Sequence, residues 1–296
     1  MKPPNSPIVP LLIAGALAFP GMAGLPLSAT AIAQEQQARP AATAPPETPS
    51  PIPPQKGTGQ HETADDAQKP PGEKERTRTK ILSAGAEVLQ KFAPVNNIDV
   101  TVCGFHFYAG SPERQVIAHH FCSHLNDDVL QCVLYDTNKS NARLIGVEYI
   151  ISEKIFKTLP EDEKKLWHSH RYEVKSGQLV ALRIPDAVEK TLMKDLQTTY
   201  GKTWHFWQID RGDTLPLGIP QLMMGFTQDR QADPKLVAER DREYGVDTEK
   251  KKKERADLPM TPILPGADAW EKGTATQLKE FQLPMPPFPR ERANSQ

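Results

Sequence analysis

Seven of the eight histidines in this 296-residue chain fall at 106, 119, 120, 124, 168, 170 and 205. Neutral imidazole is a ligand for zinc, copper, iron or nickel, so such a concentration is first of all a candidate metal site. On a strand, residues of equal parity share a face. His120, Cys122 and His124 then project together, and so do His168 and His170. Brought together by a sheet, His120, His124, His168 and His170 offer four ligands for a divalent transition metal such as zinc, with Cys122 or Glu173 as further donors. If the segment were helical, His120 and His124 at i and i+4 would again share a face. The competing account is that the ring nitrogens satisfy backbone groups of a sheet with polar inward positions. His205, between Trp204 and Phe206, reads as an aromatic-core histidine, and His106 and His119 are weaker candidates.

A second set, Trp167, Tyr172, Trp204, Phe206 and Trp207, can line an apolar ligand pocket with His168, His170 and Asp210 as its polar contacts, or can pack as aromatic core. Nucleophilic catalysis by Cys122 with His120 or His124 meets poor geometry, because neighbours on one strand face point in parallel. The sequence holds no Gly-rich nucleotide loop, no Gly-x-Ser-x-Gly elbow and no His-Glu-x-x-His string. Binding is therefore favoured over catalysis. With 36 Lys plus Arg against 37 Asp plus Glu, a net charge of −1, the chain lacks the broad basic field that nucleic-acid binding needs.

The elements that must position these residues read as α+β, a mainly antiparallel sheet with a few packed helices. Apolar residues at 81, 82, 85, 88, 89 and 92 have helical period, and Pro94 ends that run. Val116 to Leu125 is β-type. Val129–Tyr135 and Leu144–Ile151 flank a polar loop, Asp136 to Ala142, and predict a hairpin. Tyr172–Lys175 and Gln178–Leu182 around Ser176-Gly177 predict a second. Leu159–Trp167 looks like a short helix. Asp186 is placed as the N-cap of a helix running to Tyr200, with Gly201 at C′, and Thr203–Ile209 as an aromatic strand. Asp210-Arg211-Gly212-Asp213 reads as a tight turn, Lys235 to Leu258 as one or two exposed helices, and Lys250 to Lys253 as a solvated face rather than a site for anionic lipid.

The flanks differ from this middle. Of 29 prolines, only 7 lie at 94–234, against 6 at 3–26, 9 at 40–71 and 7 at 259–289. Lys2 followed by an apolar run from Ile8 to Phe19, then Ala31-Ile32-Ala33 before Gln34, fits a secretory signal cleaved at residue 33. No other segment approaches the roughly 20 apolar residues of a membrane span. The expected organisation is a signal peptide at 1–33, a Pro-rich disordered linker at 34–76, an α+β domain at 77–258 and a Pro-rich, extended tail at 259–296, partly packed on the domain. The expected location is the periplasm or outside the cell.

Several ordered strings carry a resemblance: His120-Phe121-Cys122-Ser123-His124-Leu125, Ala142 to Ser152, Leu166-Trp167-His168-Ser169-His170, Tyr200 to Gln208, and Arg211 to Met223. Together they make residues 77–275 similar to the oil-body-associated proteins of plant seeds and their bacterial and fungal relatives. The resemblance implies a domain with affinity for lipid or membrane surfaces, and it brings no reaction with it; the expected function is that of an exported, non-catalytic domain that binds a lipid, an apolar ligand or the cell envelope. A metal-binding protein or metal-dependent enzyme built on the histidines is the alternative. Cys103, Cys122 and Cys132 allow one disulfide plus a free thiol in an oxidising compartment; the reducing setting of the plant relatives favours three buried thiols instead.

Overall fold

A computed structural model describes residues 70–279. The expected signal peptide, most of the linker and the last part of the tail lie outside the described residues.

Seven strands carry the architecture: β1 (Val100–Tyr108), β2 (Ser111–Asn126), β3 (Val129–Tyr135), β4 (Leu144–Ser152), β5 (His168–Ser169), β6 (Thr199–His205) and β7 (Gln221–Met224). All pairings are antiparallel. The order β4-β3-β2-β1-β7-β6 closes on itself through β4–β6, giving a six-stranded barrel with short β5 added beside β6. Closure pairs the edges that an open sheet would leave exposed. The helices are α1 (Thr77–Leu89), α2 (Ala93–Asn96), α3 (Glu153–Phe156), α4 (Glu161–Lys164), α5 (Arg171–Lys175), α6 (Asp186–Leu196), α7 (Pro234–Tyr244) and α8 (Thr248–Glu254). None is long and apolar enough to cross a membrane among the described residues.

Register decides what fills the barrel. Residues directly opposite one another project to the same face. Tyr108 opposes Met223, Met223 opposes Thr203, Thr203 opposes Glu148, Glu148 opposes Cys132, and Cys132 opposes Cys122. That ring, with its parity neighbours His106, Ala118, His120, Leu134, Ile150, Gly201 and His205, is the interior. Ala118, Leu130, Leu134 and Ile150 pack there around a Cys122–Cys132 disulfide, while Tyr108, Val116 and Met223 form a separate cluster. The disulfide corrects the expectation of three buried thiols. Cys122 and Cys132 sit opposite on neighbouring strands, so their side chains meet; only Cys103 is a free, buried thiol.

The outer face of β1, β6 and β7 is apolar as well: Phe105, Phe107, Leu222, Met224 and Trp204 pack against Leu236 and Val237 of α7 and against Trp270. Two buried arginines tie α7 and the end of α8 to the loop after α5. Arg240 donates to the Gln178 carbonyl and lies over the Phe105 ring, and Arg255 donates to the Val174 and Leu179 carbonyls. Lys250 and Lys251 pair with Asp186, and Lys252 with Asp229.

Two local expectations are overturned. Residues 171–175 form helix α5 instead of a hairpin strand, with Gly177 at φ 77° taking the left-handed turn after it. The helix begun at Asp186 stops at Leu196, so Tyr200 and Gly201 belong to β6 and not to a helix end. Tertiary contacts override local propensity here: Tyr200 stacks on Phe156 and Gly201 pairs with both Ile150 and His168.

Candidate metal centre

Glu148 stands alone as a carboxylate in the apolar strand β4, and its side chain is fully buried inside the barrel. An isolated buried charge is prohibitive unless partners surround it. Here the partners are imidazoles from three strands and one helix cap. His106 comes from β1, His120 from β2, His168 from β5, and His170 caps α5. His120 Nε2 lies 2.8 Å and His106 Nε2 3.5 Å from Glu148 Oε2. On the other oxygen, His170 Nε2 lies 3.1 Å and His168 Nε2 3.6 Å from Oε1.

The far side of each ring is held too. His120 Nδ1 faces the Ala118 carbonyl at 3.2 Å, His170 Nδ1 the Thr199 hydroxyl at 2.8 Å, and His106 Nδ1 the Nε2 of His205 at 3.3 Å. Contacts of this kind orient metal-ligating imidazoles and direct the opposite nitrogen inward. His120 faces an oxygen on both sides, the Ala118 carbonyl at Nδ1 and the Glu148 carboxylate at Nε2. Burial lowers the pKa of His106 and takes those of His168 and His205 well below the ordinary imidazole value, leaving neutral rings. Burial opposes ionisation of Glu148, but the charge of His120 and the hydrogen bonds from His106, His120 and His170 outweigh it and hold the carboxyl well below the usual range.

Neither ring nitrogen of His168 has a hydrogen bond, nor has His205 Nδ1 or Thr203 Oγ1. Buried polar atoms are nearly always partnered, so these orphans point to a polar occupant of the interior. Room for the His168 ring comes from two glycines. A Cβ at Gly201 would stand 2.7 Å from His168 Cε1 and 2.8 Å from its Nε2, and closer still to Glu148 Oε1; one at Gly225 would stand 2.9 Å from His168 Cδ2 and from the Glu173 carboxyl carbon. Between the two histidines, Ser169 donates its N–H and hydroxyl to Asp268 at 2.9 and 2.7 Å, which anchors β5. Burial raises the Asp268 carboxyl to about 7.

Of the four histidines that sequence spacing singles out, His120, His168 and His170 converge on Glu148. His124 does not: its side chain is 46% exposed and contacts Asp99 at 3.0 Å. Equal parity fixes the face of a strand but not the depth, and at about 3.3 Å per residue His124 lies about 13 Å along β2 from His120. Cys122 is removed as a donor by its disulfide. Glu173 is buried beside the cluster, and burial, followed by Glu148 and Asp268, pushes its carboxyl well above the usual range. Spacing missed His106, His205 and Glu148; a lone charged residue inside an apolar strand was the available signal for the last. His119 points outward, to Cys103 and the Tyr244 ring.

The five aromatic residues do not line one pocket. Trp167 packs with Phe156 and Tyr200, Tyr172 and Trp204 with the outer Phe105–Phe107 layer, and Trp207 with the Ala118–Leu134 cluster, while Phe206 is half-buried and joins none of these.

Residues 92–259 match the family described as "Protein of unknown function (DUF1264)". The chain is 46% identical over 215 residues to Oil body-associated protein 1B of Arabidopsis thaliana, covering 72% of this chain and 89% of that protein. It is 47% identical to Oil body-associated protein 1A of Zea mays, covering 72% and 91%, and 43% identical to Oil body-associated protein 2A of Zea mays, covering 74% and 90%. No solved structure matches. A family match over more than half of the chain, together with this identity along nearly the whole length of the relatives, means that the chain belongs to the oil body-associated protein family.

Proposed function

We propose that the barrel is a metal-binding protein whose interior holds a divalent first-row transition metal through His106, His120, His168, His170 and Glu148. The observation that carries this reading is one buried carboxylate with two imidazole Nε2 atoms facing each of its oxygens at 2.8–3.6 Å. Two ligands on a tetrahedral ion with bonds of about 2.0–2.1 Å lie about 3.3 Å apart, so the donors already stand at coordination spacing. Imidazole with one carboxylate suits zinc, iron or nickel; an all-oxygen cage for calcium or magnesium is not what these residues offer. The test is elemental analysis of untagged protein. Stoichiometric metal that resists mild chelation and falls in amount in the His120→Ala and His170→Ala variants supports the reading. A folded chain that neither retains nor takes up such a metal overturns it.

A second reading rests on α1 and on the relatives' names. Ile81, Leu82, Val88 and Leu89 are exposed, the last two above 80%, and α1 buries no residue. From 73 to 91, Lys74, Arg76, Arg78, Lys80 and Lys91 against Glu73, Glu75 and Glu87 give 5 − 3 = +2. An apolar helix face with a basic flank fits an anionic lipid surface. Flotation with phosphatidylglycerol-containing vesicles tests it: the Val88→Asp/Leu89→Asp variant is expected to stay behind while the parent chain floats, and a parent chain that does not float refutes it. The proposed location is outside the cytoplasm, in keeping with the Cys122–Cys132 disulfide. A mature N-terminus at Gln34 is the expected mass-spectrometric result.

A further inference from the structure

Resting on the metal reading above, we infer that the centre is dinuclear, with the Glu148 carboxylate bridging two divalent transition-metal ions. The donors do not form one shell. They fall into two triads, His106–His120–Glu148 and Glu148–His168–His170, each with donor atoms within 4.8 Å of one another, and the triads share only the carboxylate. They divide by oxygen: Oε2 faces His106 and His120, and Oε1 faces His168 and His170. Each half is therefore two imidazoles and one carboxylate oxygen, a ligand set that holds one ion with open positions.

A single ion would leave half of this arrangement unexplained. Placed at Oε2, it would leave His168 and His170 converging on an oxygen that carries nothing; placed at Oε1, it would strand His106 and His120. The rings pair in the same way, with centroids 5.1 Å apart for His106–His120 and 5.1 Å for His168–His170, against 5.6 Å for His106–His168. Two ions about 3.5–4 Å apart are the usual separation in two-metal sites, and a carboxylate spans that distance through its two oxygens. The two halves also have separate supports. His205 backs His106, whereas Thr199 backs His170 and Asp268 anchors the residue between His168 and His170. Glu173 and His168 both lie against Gly225, which places a second carboxyl beside the second triad.

The experiment uses the full, untagged chain, stripped with chelator, loaded with Co(II), washed of loosely held ion and measured by native mass spectrometry. The expected result is two ions per chain. The His106→Gln/His120→Gln and His168→Gln/His170→Gln variants are each expected to retain one. Because a variant can fail to fold, the deciding measurement is on the parent chain: the low-temperature magnetic susceptibility of its two-ion form, which antiferromagnetic exchange through a bridging carboxylate lowers below twice that of one isolated ion. One ion per folded parent chain overturns the dinuclear inference and leaves the metal reading standing. Two ions without exchange overturn the bridge. No ion in a folded chain overturns the metal reading itself.

Discussion

Replacing Gly201 by alanine puts one methyl group into the most confined point of the barrel. The new Cβ would lie 2.7 Å from His168 Cε1, where ordinary contact begins at 3.4 Å, so the ring must retreat by about 0.7 Å. On its other side the ring already lies against Gly225, so closely that a Cβ there would stand 2.9 Å from its Cδ2, which leaves little room to retreat. The Glu148 carboxylate, nearer still, must shift away from its 3.1 Å contact with His170. Overpacking of this kind costs about 1–3 kcal/mol. Weakening a charge-assisted hydrogen bond costs about 1.5–3 kcal/mol more. The lower chain entropy of alanine offsets about 0.5–1 kcal/mol, which leaves a net loss of about 2–5 kcal/mol, a large part of the roughly 5–15 kcal/mol that holds a typical domain. The backbone supplies no alternative cause, since Gly201 does not have positive φ. Urea unfolding followed by circular dichroism reads the midpoint, and elemental analysis after metal loading reads the site; both are expected to fall together. Gly85→Ala is the control, because its Cβ would meet nothing within 4 Å and α1 packs no buried residue. A Gly201→Ala chain with the parent midpoint and full metal content would show that Glu148 and His168 do not lie against residue 201.

Asp268, raised by burial to about 7 from 3.8, gives a pH signature. Its folded value lies above its unfolded one, so its contribution is complete below about pH 4 and is lost as pH rises through 7. At about 1.4 kcal/mol per unit this is up to a few kcal/mol, and urea midpoints of Asp268→Asn are expected to gain on the parent between pH 5 and 8; parallel curves would contradict it. Burial pushes the Cys103 thiol up to about 12, so at pH 8 only about one molecule in 10⁴ carries a thiolate. Thiol titration should find no fast-reacting group in the native chain, one in denaturant and three after reduction; a fast native thiol refutes the burial. The Cys122–Cys132 bridge closes a loop with a sequence separation of 10, for which chain entropy predicts about 3 kcal/mol. Cys132→Ser is therefore expected to lower the urea midpoint and to abolish its sensitivity to reductant, and an unchanged midpoint would remove the bridge from the account.

Where the sequence pattern was local and periodic, it was legible. The hairpin of β3 and β4 follows from two apolar runs around a polar loop, and the α+β, mainly antiparallel class follows from short β-type runs among a few helical ones. The errors lie where a distant partner decides. Arg171–Lys175 and Tyr200-Gly201 took the conformation their neighbours across the sheet and the α7–α8 segment required, against the local reading.

By itself the sequence determined the concentration of histidine, the spacing that makes His120, His168 and His170 candidates, and the kinship with oil body-associated proteins, because residue types and ordered strings are properties of the chain alone. Barrel closure through β4 and β6 decided the rest. It turned the lone carboxylate of β4 inward, brought His106 to it across the barrel, and left His124 outside the cluster at the surface. Parity along a strand names a face, but only pairing between strands far apart in sequence decides which face is enclosed and how deep each side chain lies within it.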